Sequence, residues 1–229
     1  MIKLSEKQKK IQTKWKKLGI QIDRELRDII HGYIMSDGHI TTNGSLSVQH
    51  SIKQRKFVEW IYAHVAVLRT QTPIRIQNRV DTRSNTKITV CRFQTRNVLN
   101  GFHSMWYKKY KVGDKIRYIK RLPASLSCFF NSTFISVWFA GDGTKMIGQR
   151  GAKFEVTYFT PEERLYLKRL FKTKFDIEAK IMRAGKSTAG TLQWTLSIPA
   201  NEYEKFRTLI TEMDLIPRLF PHKLCKKRK

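Results

Sequence analysis

Acidic residues are scarce in this chain. Only 18 Asp and Glu stand against 45 Lys and Arg in 229 residues, a formal net charge of +27. That excess is far beyond what solubility needs and points to a polyanionic partner, of which nucleic acid is the commonest. Cysteine is rare too: Cys91, Cys128 and Cys225 have neither metal nor redox spacing. An odd count argues against a disulfide scaffold, and a reducing intracellular compartment is expected rather than secretion. The histidines show no zinc spacing and read as structural or phosphate-contacting. No apolar run is long enough for a bilayer, no secretory signal is legible, and no Gly-x-x-x-x-Gly-Lys-Ser/Thr stretch occurs. Membrane partners and nucleotide hydrolysis are therefore not expected.

What is present is a pair of short segments with one pattern. His31-Gly32-Tyr33-Ile34-Met35-Ser36-Asp37-Gly38 and Ser136-Val137-Trp138-Phe139-Ala140-Gly141-Asp142-Gly143 are each an apolar, helix-compatible run ending in Asp-Gly. A carboxylate is poorly placed at a helix C-terminus, where the dipole's negative end repels it. Two such acids at equivalent ends suggest a compensating divalent cation. Gly32 and Ser36 share one helix face, as do Val137 and Gly141 with Ala140 beside them, so the two helices are expected to pack closely. Asp37 and Asp142 would then be adjacent, and two carboxylates bridged by metal suit in-line phosphodiester hydrolysis by activated water.

The echo runs along the chain. Val48 answers Val156, Ile76 answers Ile181, Phe102 answers Phe206, and Lys120 answers Lys223, at offsets of 103 to 108 residues. A sustained offset means internal duplication. Periodicity predicts, in the first half, a helix over 26–36, a strand over 45–51, a helix carrying Phe57, Ile61, Val65 and Leu68, a hairpin of 73–80 with 86–95, and a helix from Asn97. The second half gives a helix over 132–141, a strand over 152–159, a helix capped by Thr160 with Pro161 first, strands over 177–184 and 191–198, and a helix over 201–213. Residues 111–130 read as the joint. The fold class is α+β, with two pseudo-symmetric αββαββα subdomains. The expected division is a basic segment over 1–22, a first subdomain over 23–125 and a second over 126–229.

The strands carry hydrogen-bonding side chains on one face. Arg75, Gln77 and Arg79 alternate with isoleucines; Lys87, Arg92 and Gln94 extend the set, and Gln193 and Thr195 alternate with Leu192, Trp194 and Leu196. With Lys180 and Arg183 from the neighbouring strand, these are the expected DNA-binding residues, one group per half. Arg, Gln and Thr reach base edges and phosphates, and a two-stranded ribbon fits the major groove. The basic ends, Lys7 to Lys17 and Lys223 to Lys229, read as phosphate contacts or solvated segments.

These residues together resemble the LAGLIDADG homing endonucleases, in their single-chain, two-motif form, from about Asp23 to Lys223. The two motif stretches match the family's signature helices, although little beyond glycine and aspartate survives in the first. Leu215-Ile216-Pro217 followed by Lys223-Leu224 is similar to the monomeric intron-encoded branch. The resemblance implies two motif helices packed against each other beneath saddle-shaped DNA-binding sheets. It implies that Asp37 and Asp142 bind two or three shared divalent ions, Mg2+ in the expected case, with carbonyls of Ser36 and Gly141 as further ligands. Lys120 and Lys223 would then act beside the metals, polarising water or stabilising phosphorane charge. The implied partner is double-stranded DNA cut once per strand by a monomer, in a mitochondrion, a chloroplast or another reducing intracellular compartment. An intron RNA maturase on the same fold is the alternative.

Overall fold

The computed structural model describes residues 15–81 and 85–225. Most of the basic N-terminal segment and residues 226–229 of the basic C-terminal end lie outside the described residues. The element order repeats. Helix α1 (Arg24–Met35), strands β1 (His39–Ile40) and β2 (Leu46–Ser51), α2 (Arg55–His64), β3 (Arg75–Asp81), β4 (Thr86–Gln94) and α3 (Asn100–Trp106) form the first αββαββα series. Helix α4 (Ser132–Asp142), β7 (Gly143–Lys145), β8 (Ala152–Glu155), α5 (Pro161–Phe175), β9 (Lys180–Lys186), β10 (Leu192–Ile198) and α6 (Tyr203–Thr211) form the second. The sheets share one order, β1-β2-β4-β3 and β7-β8-β10-β9, antiparallel throughout. The α+β duplication read from the sequence is the fold.

The 111–130 stretch departs from the expected plain joint. It contributes to a two-stranded hairpin of β5 (Tyr107–Val112) and β6 (Lys115–Lys120). Helix α6 falls within the expected 201–213, and a further short helix α7 (Leu215–Leu219) follows it. Two compact units emerge, Met1–Arg27 with Asp37–Tyr118, and Asp28–Ser36 with Ile119–Lys229. Most of α1 thus belongs to the unit of the second repeat, because its packing partners lie there.

In the first unit, α2 buries Phe57, Val58, Trp60 and Ile61 over the face of the sheet that holds Val48, Cys91 and Phe93. The β3–β4 hairpin turns back through Asn85, whose φ of 52° asparagine tolerates better than most side chains. In the second unit, α4 is apolar on every side and buried from Phe134 to Ala140. Trp138 stacks on Phe154 at 4.0 Å, with Phe171 and Phe206 closing the cluster. Helix α5 opens on the expected capping box, Thr160 with Glu163. The other role of Glu163 was not legible: its Oε1 accepts the backbone N–H of Leu122 at 2.8 Å, tethering the chain just past Lys120.

Candidate active site and nucleic-acid interface

Helix α4 begins with Asn131, whose side chain accepts the N–H of Phe134 at 3.0 Å and donates from Nδ2 to Asp28 at 2.6 Å. One turn further along α1 stands Gly32. A Cβ there would lie 2.6 Å from the Phe134 carbonyl oxygen and 3.0 Å from Val137 Cβ. Partners rise together along both helices, Asp28 with Asn131 and Gly32 with Phe134 and Val137. Within this unit α1 and α4 therefore run parallel, and their C-termini emerge at the same end. The close approach is at Gly32 and Val137; Ser36 instead turns its hydroxyl onto its own helix, donating to Tyr33 O at 3.2 Å.

Each C-terminus is held by a lysine. Lys120 Nζ donates to Ile34 O at 2.6 Å and Ser36 O at 3.0 Å. Lys223 Nζ donates to Phe139 O at 3.1 Å, Ala140 O at 2.7 Å and Gly141 O at 3.2 Å. The last carbonyls of a helix lack intrahelical partners and carry the dipole's negative end, so an ammonium there is favoured twice over. The carbonyls of Ser36 and Gly141 thus already accept from lysine, each keeping a second lone pair. Asp37 is the next residue after Ser36 and is exposed, whereas Asp142 closes α4 and is half-buried. Gly143 then leaves in extended conformation, and a Cβ there would overlap the Phe139 ring.

In the first unit Asp37 lines an open groove of about 400 Å³ together with Gln49, Ser51, Arg79, Asp81 and Thr89. The strand register sorts the other expected residues. Arg75 pairs with Arg92, Gln77 with Val90, and Arg79 with Ile88; Gln49 pairs with Arg92 and Ser47 with Gln94. Alternation therefore puts Arg75, Gln77, Arg79, Arg92, Gln94, Ser47 and Gln49 on one face. Arg75 and Arg92 lie directly opposite, which is unfavourable for like charges, and among the described residues neither has an acidic partner. Gln49 bonds Arg79 at 3.3 Å and joins this face, a placement that only its parity in β2 could have signalled.

Three of the expected residues are placed apart from the rest. Lys87 pairs with Val80 and falls on the opposite face, with Asn78, Thr89 and Cys91, because it is an odd number of residues from Arg92 and Gln94. Arg183 pairs with Trp194, its guanidinium 5.5 Å from the indole ring, on the face away from Lys180 and Thr195. Thr195 lies on the polar face but is only 6% exposed, flanked in register by Glu155 and Met182. Lys180 and Ser197 pair on that same polar face, which also receives Lys153 and Thr144. Gln193 sits at the register shift between Leu192 and Trp194.

A comparison with curated proteins finds no match. Among solved structures, the homing endonuclease I-WcaI bound to its DNA recognition sequence has a TM-score of 0.74 at 17% identity, covering 100% of this chain and 96% of its own. I-DmoI in complex with DNA and Mn has a TM-score of 0.49 at 11% identity over 82% of this chain and 97% of its own. The N-terminal LAGLIDADG domain of DUF199/WhiA follows at 0.46 and 14%, over 92% and 96%. The first of these shares its fold with this chain. The model of the LAGLIDADG DNA endonuclease family matches residues 27–206. Two parallel helices ending in Asp-Gly, each repeated with its own four-stranded sheet, are thus features of a chain that belongs to the LAGLIDADG DNA endonuclease family.

Proposed function

We propose that this chain is a site-specific double-stranded DNA endonuclease, a homing endonuclease that hydrolyses one phosphodiester in each strand of a long, pseudo-symmetric target. The observation that carries this reading is the matched pair of parallel helix ends, each closed by a lysine on its last carbonyls and each running into a motif aspartate. The donors fit a hard divalent cation such as Mg2+: carboxylates of Asp37 and Asp142, with carbonyl oxygens of Ser36 and Gly141 at the negative ends of two helices. Among the described residues no three His, Cys, Asp or Glu side chains gather, so substrate oxygens and water would complete the ligand set. Bound there, divalent ions would supply an activated water and stabilise the leaving oxygen.

The chain's own groups have separable tasks. Asp37 and Asp142 hold negative charge where cations are needed. Lys120 and Lys223 hold ammonium groups at fixed points on the helix ends, so positive charge is already in place when a phosphate develops charge. The polar face with Arg75, Gln77, Arg79, Arg92 and Gln94 reads one half-site, and that with Lys180 and Gln193 the other. Both motifs come from one chain, which supports action as a monomer.

The test is cleavage of duplex DNA spanning the uninterrupted host gene, with and without Mg2+. Wild type should make a double-strand break, and Asp37→Asn or Asp142→Asn should abolish it while target binding persists, since the phosphate and base contacts lie elsewhere. Full-rate cutting by either variant would overturn the two-carboxylate reading. Tight binding of intron RNA with no cutting of any duplex would assign the chain to splicing instead.

A further inference from the structure

The β5–β6 hairpin has no counterpart in the second repeat, where α6 is followed by the short helix α7 and then Lys223. Every residue from Lys108 to Tyr118 is exposed. Five of those eleven are cations, Lys108, Lys109, Lys111, Lys115 and Arg117, against one acid, Asp114. Among the described residues none of the five has an acidic partner. An isolated two-stranded hairpin is marginal in water, and self-repulsion makes this one worse.

It is nonetheless firmly built at its base. Tyr107 is buried, stacks on His103 at 4.9 Å, and accepts the N–H of Ile40 on its hydroxyl at 3.3 Å. Tyr118 meets the same His103 ring edge-on at 4.9 Å. Gly113 takes φ 57° in the two-residue turn at the tip, as the first position of a type II′ turn requires. With six residues per strand, the tip stands about 20 Å from the base. Because Tyr107 and Tyr118 turn to His103, alternation sets Lys108, Tyr110, Val112, Lys115 and Arg117 on the other face.

We propose that this hairpin is a third nucleic-acid contact, an arm that grips duplex DNA through its phosphates outside the two reading sheets. The composition separates it from those sheets. The first sheet carries Gln and Arg in alternation, the side chains that pair with base edges, and the second offers Gln193 beside its lysines. The arm has neither Gln nor Asn and is dominated by lysine, a point charge suited to phosphate. The contact is therefore blind to sequence. Since only one repeat has the arm, it touches a single tract of phosphates with no symmetric mate. This inference rests on the DNA-endonuclease reading.

The test combines Lys108→Gln, Lys115→Gln and Arg117→Gln in the full chain and measures binding to the target and to an unrelated duplex across salt concentrations. The log–log salt slope should become shallower by up to about 2.7, at about 0.9 for each phosphate that is no longer neutralised. Affinity should fall by the same factor on both duplexes, leaving the preference ratio unchanged. Phosphate-ethylation interference should disappear from one tract only. The charge-preserving Lys108→Arg with Lys115→Arg should keep the wild-type slope, and all side chains changed are exposed, so folding is preserved. A triple variant with the wild-type slope overturns the arm while wild-type cutting still stands. A slope change confined to single-stranded RNA also overturns it, and absence of any duplex binding by wild type overturns the parent reading instead.

Discussion

Replacing Gly32 by alanine puts two opposing effects in competition at one position. In an exposed helix the change gains about 1 kcal/mol, because alanine loses less backbone entropy than glycine. Here the added Cβ would sit 2.6 Å from the carbonyl oxygen of Phe134, 3.2 Å from its Cα and 3.0 Å from Val137 Cβ, where ordinary contacts begin at 3.4 Å. The shortfall against the oxygen is 0.8 Å (3.4 less 2.6). Two of the three neighbours are backbone atoms of α4, so no rotamer change relieves the overlap and the helices themselves must part. Overpacking costs about 1–3 kcal/mol, toward the upper end when only backbone can yield. The clash wins, leaving a net loss of about 1–2 kcal/mol, or about 2–8 °C in melting temperature for a domain of this size. A shift approaching 1 Å at the helix ends should also slow cutting by at least about tenfold, since misplacement of that order costs about 10²-fold in a positioned reaction. Thermal melting and single-turnover cleavage of the purified variant measure both. Gly101→Ala on α3 is the control: nothing lies within 4 Å of its Cβ, and it should melt at or above wild type. If Gly32→Ala melted no lower than wild type and cut at full rate, the close parallel packing of α1 and α4 would be wrong.

Two further outcomes follow from the register and the charges. Gln77→Ala should relax base preference at a few pairs in one half-site, by about 1–3 kcal/mol of discrimination, whereas Lys87→Ala, from the opposite face, should leave preference unchanged. A base-substitution scan in which Lys87→Ala shifts preference as much as Gln77→Ala would refute the face assignment. Lys172 at 2.6 Å, with Lys205 at 2.7 Å, holds the Asp176 carboxyl down to about 2. A depressed carboxyl contributes stability that is present above the unfolded value of about 4 and is lost as pH falls through about 2. Melting curves across that window should fall more steeply for wild type than for Asp176→Asn, a side chain that also accepts the φ of 52° found there. At neutral pH wild type should melt slightly higher than the variant, by the same small amount that acid removes, because these groups are exposed and salt screens them; equal slopes in acid would refute the pairing.

The duplication and the strand–helix order were legible in the sequence, because each depends on local periodicity or on a constant spacing between repeats, whereas Lys120 and Lys223 were singled out chiefly by the family resemblance. Thr160, Pro161 and Glu163 specify their helix start by short-range hydrogen bonds alone, and the expected capping box forms. Alternation also placed Arg75, Gln77 and Arg79 together. Composition without parity groups Lys87 with Arg92, and the ladder separates them. Burial of a polar strand residue was not readable: Thr195 is only 6% exposed, flanked by Glu155 and Met182, partners 40 and 13 residues away in sequence. Most of the 107–120 hairpin fell inside the 111–130 stretch that read as a joint, since its exposed strands have no apolar face to betray them and their anchor is His103 and Ile40 of other elements. Local patterning determined which elements form. Only tertiary contact decided which carbonyls the lysines occupy, which side chains the sheets expose and how close the two motif helices stand, because those depend on pairs of residues brought together from across the chain.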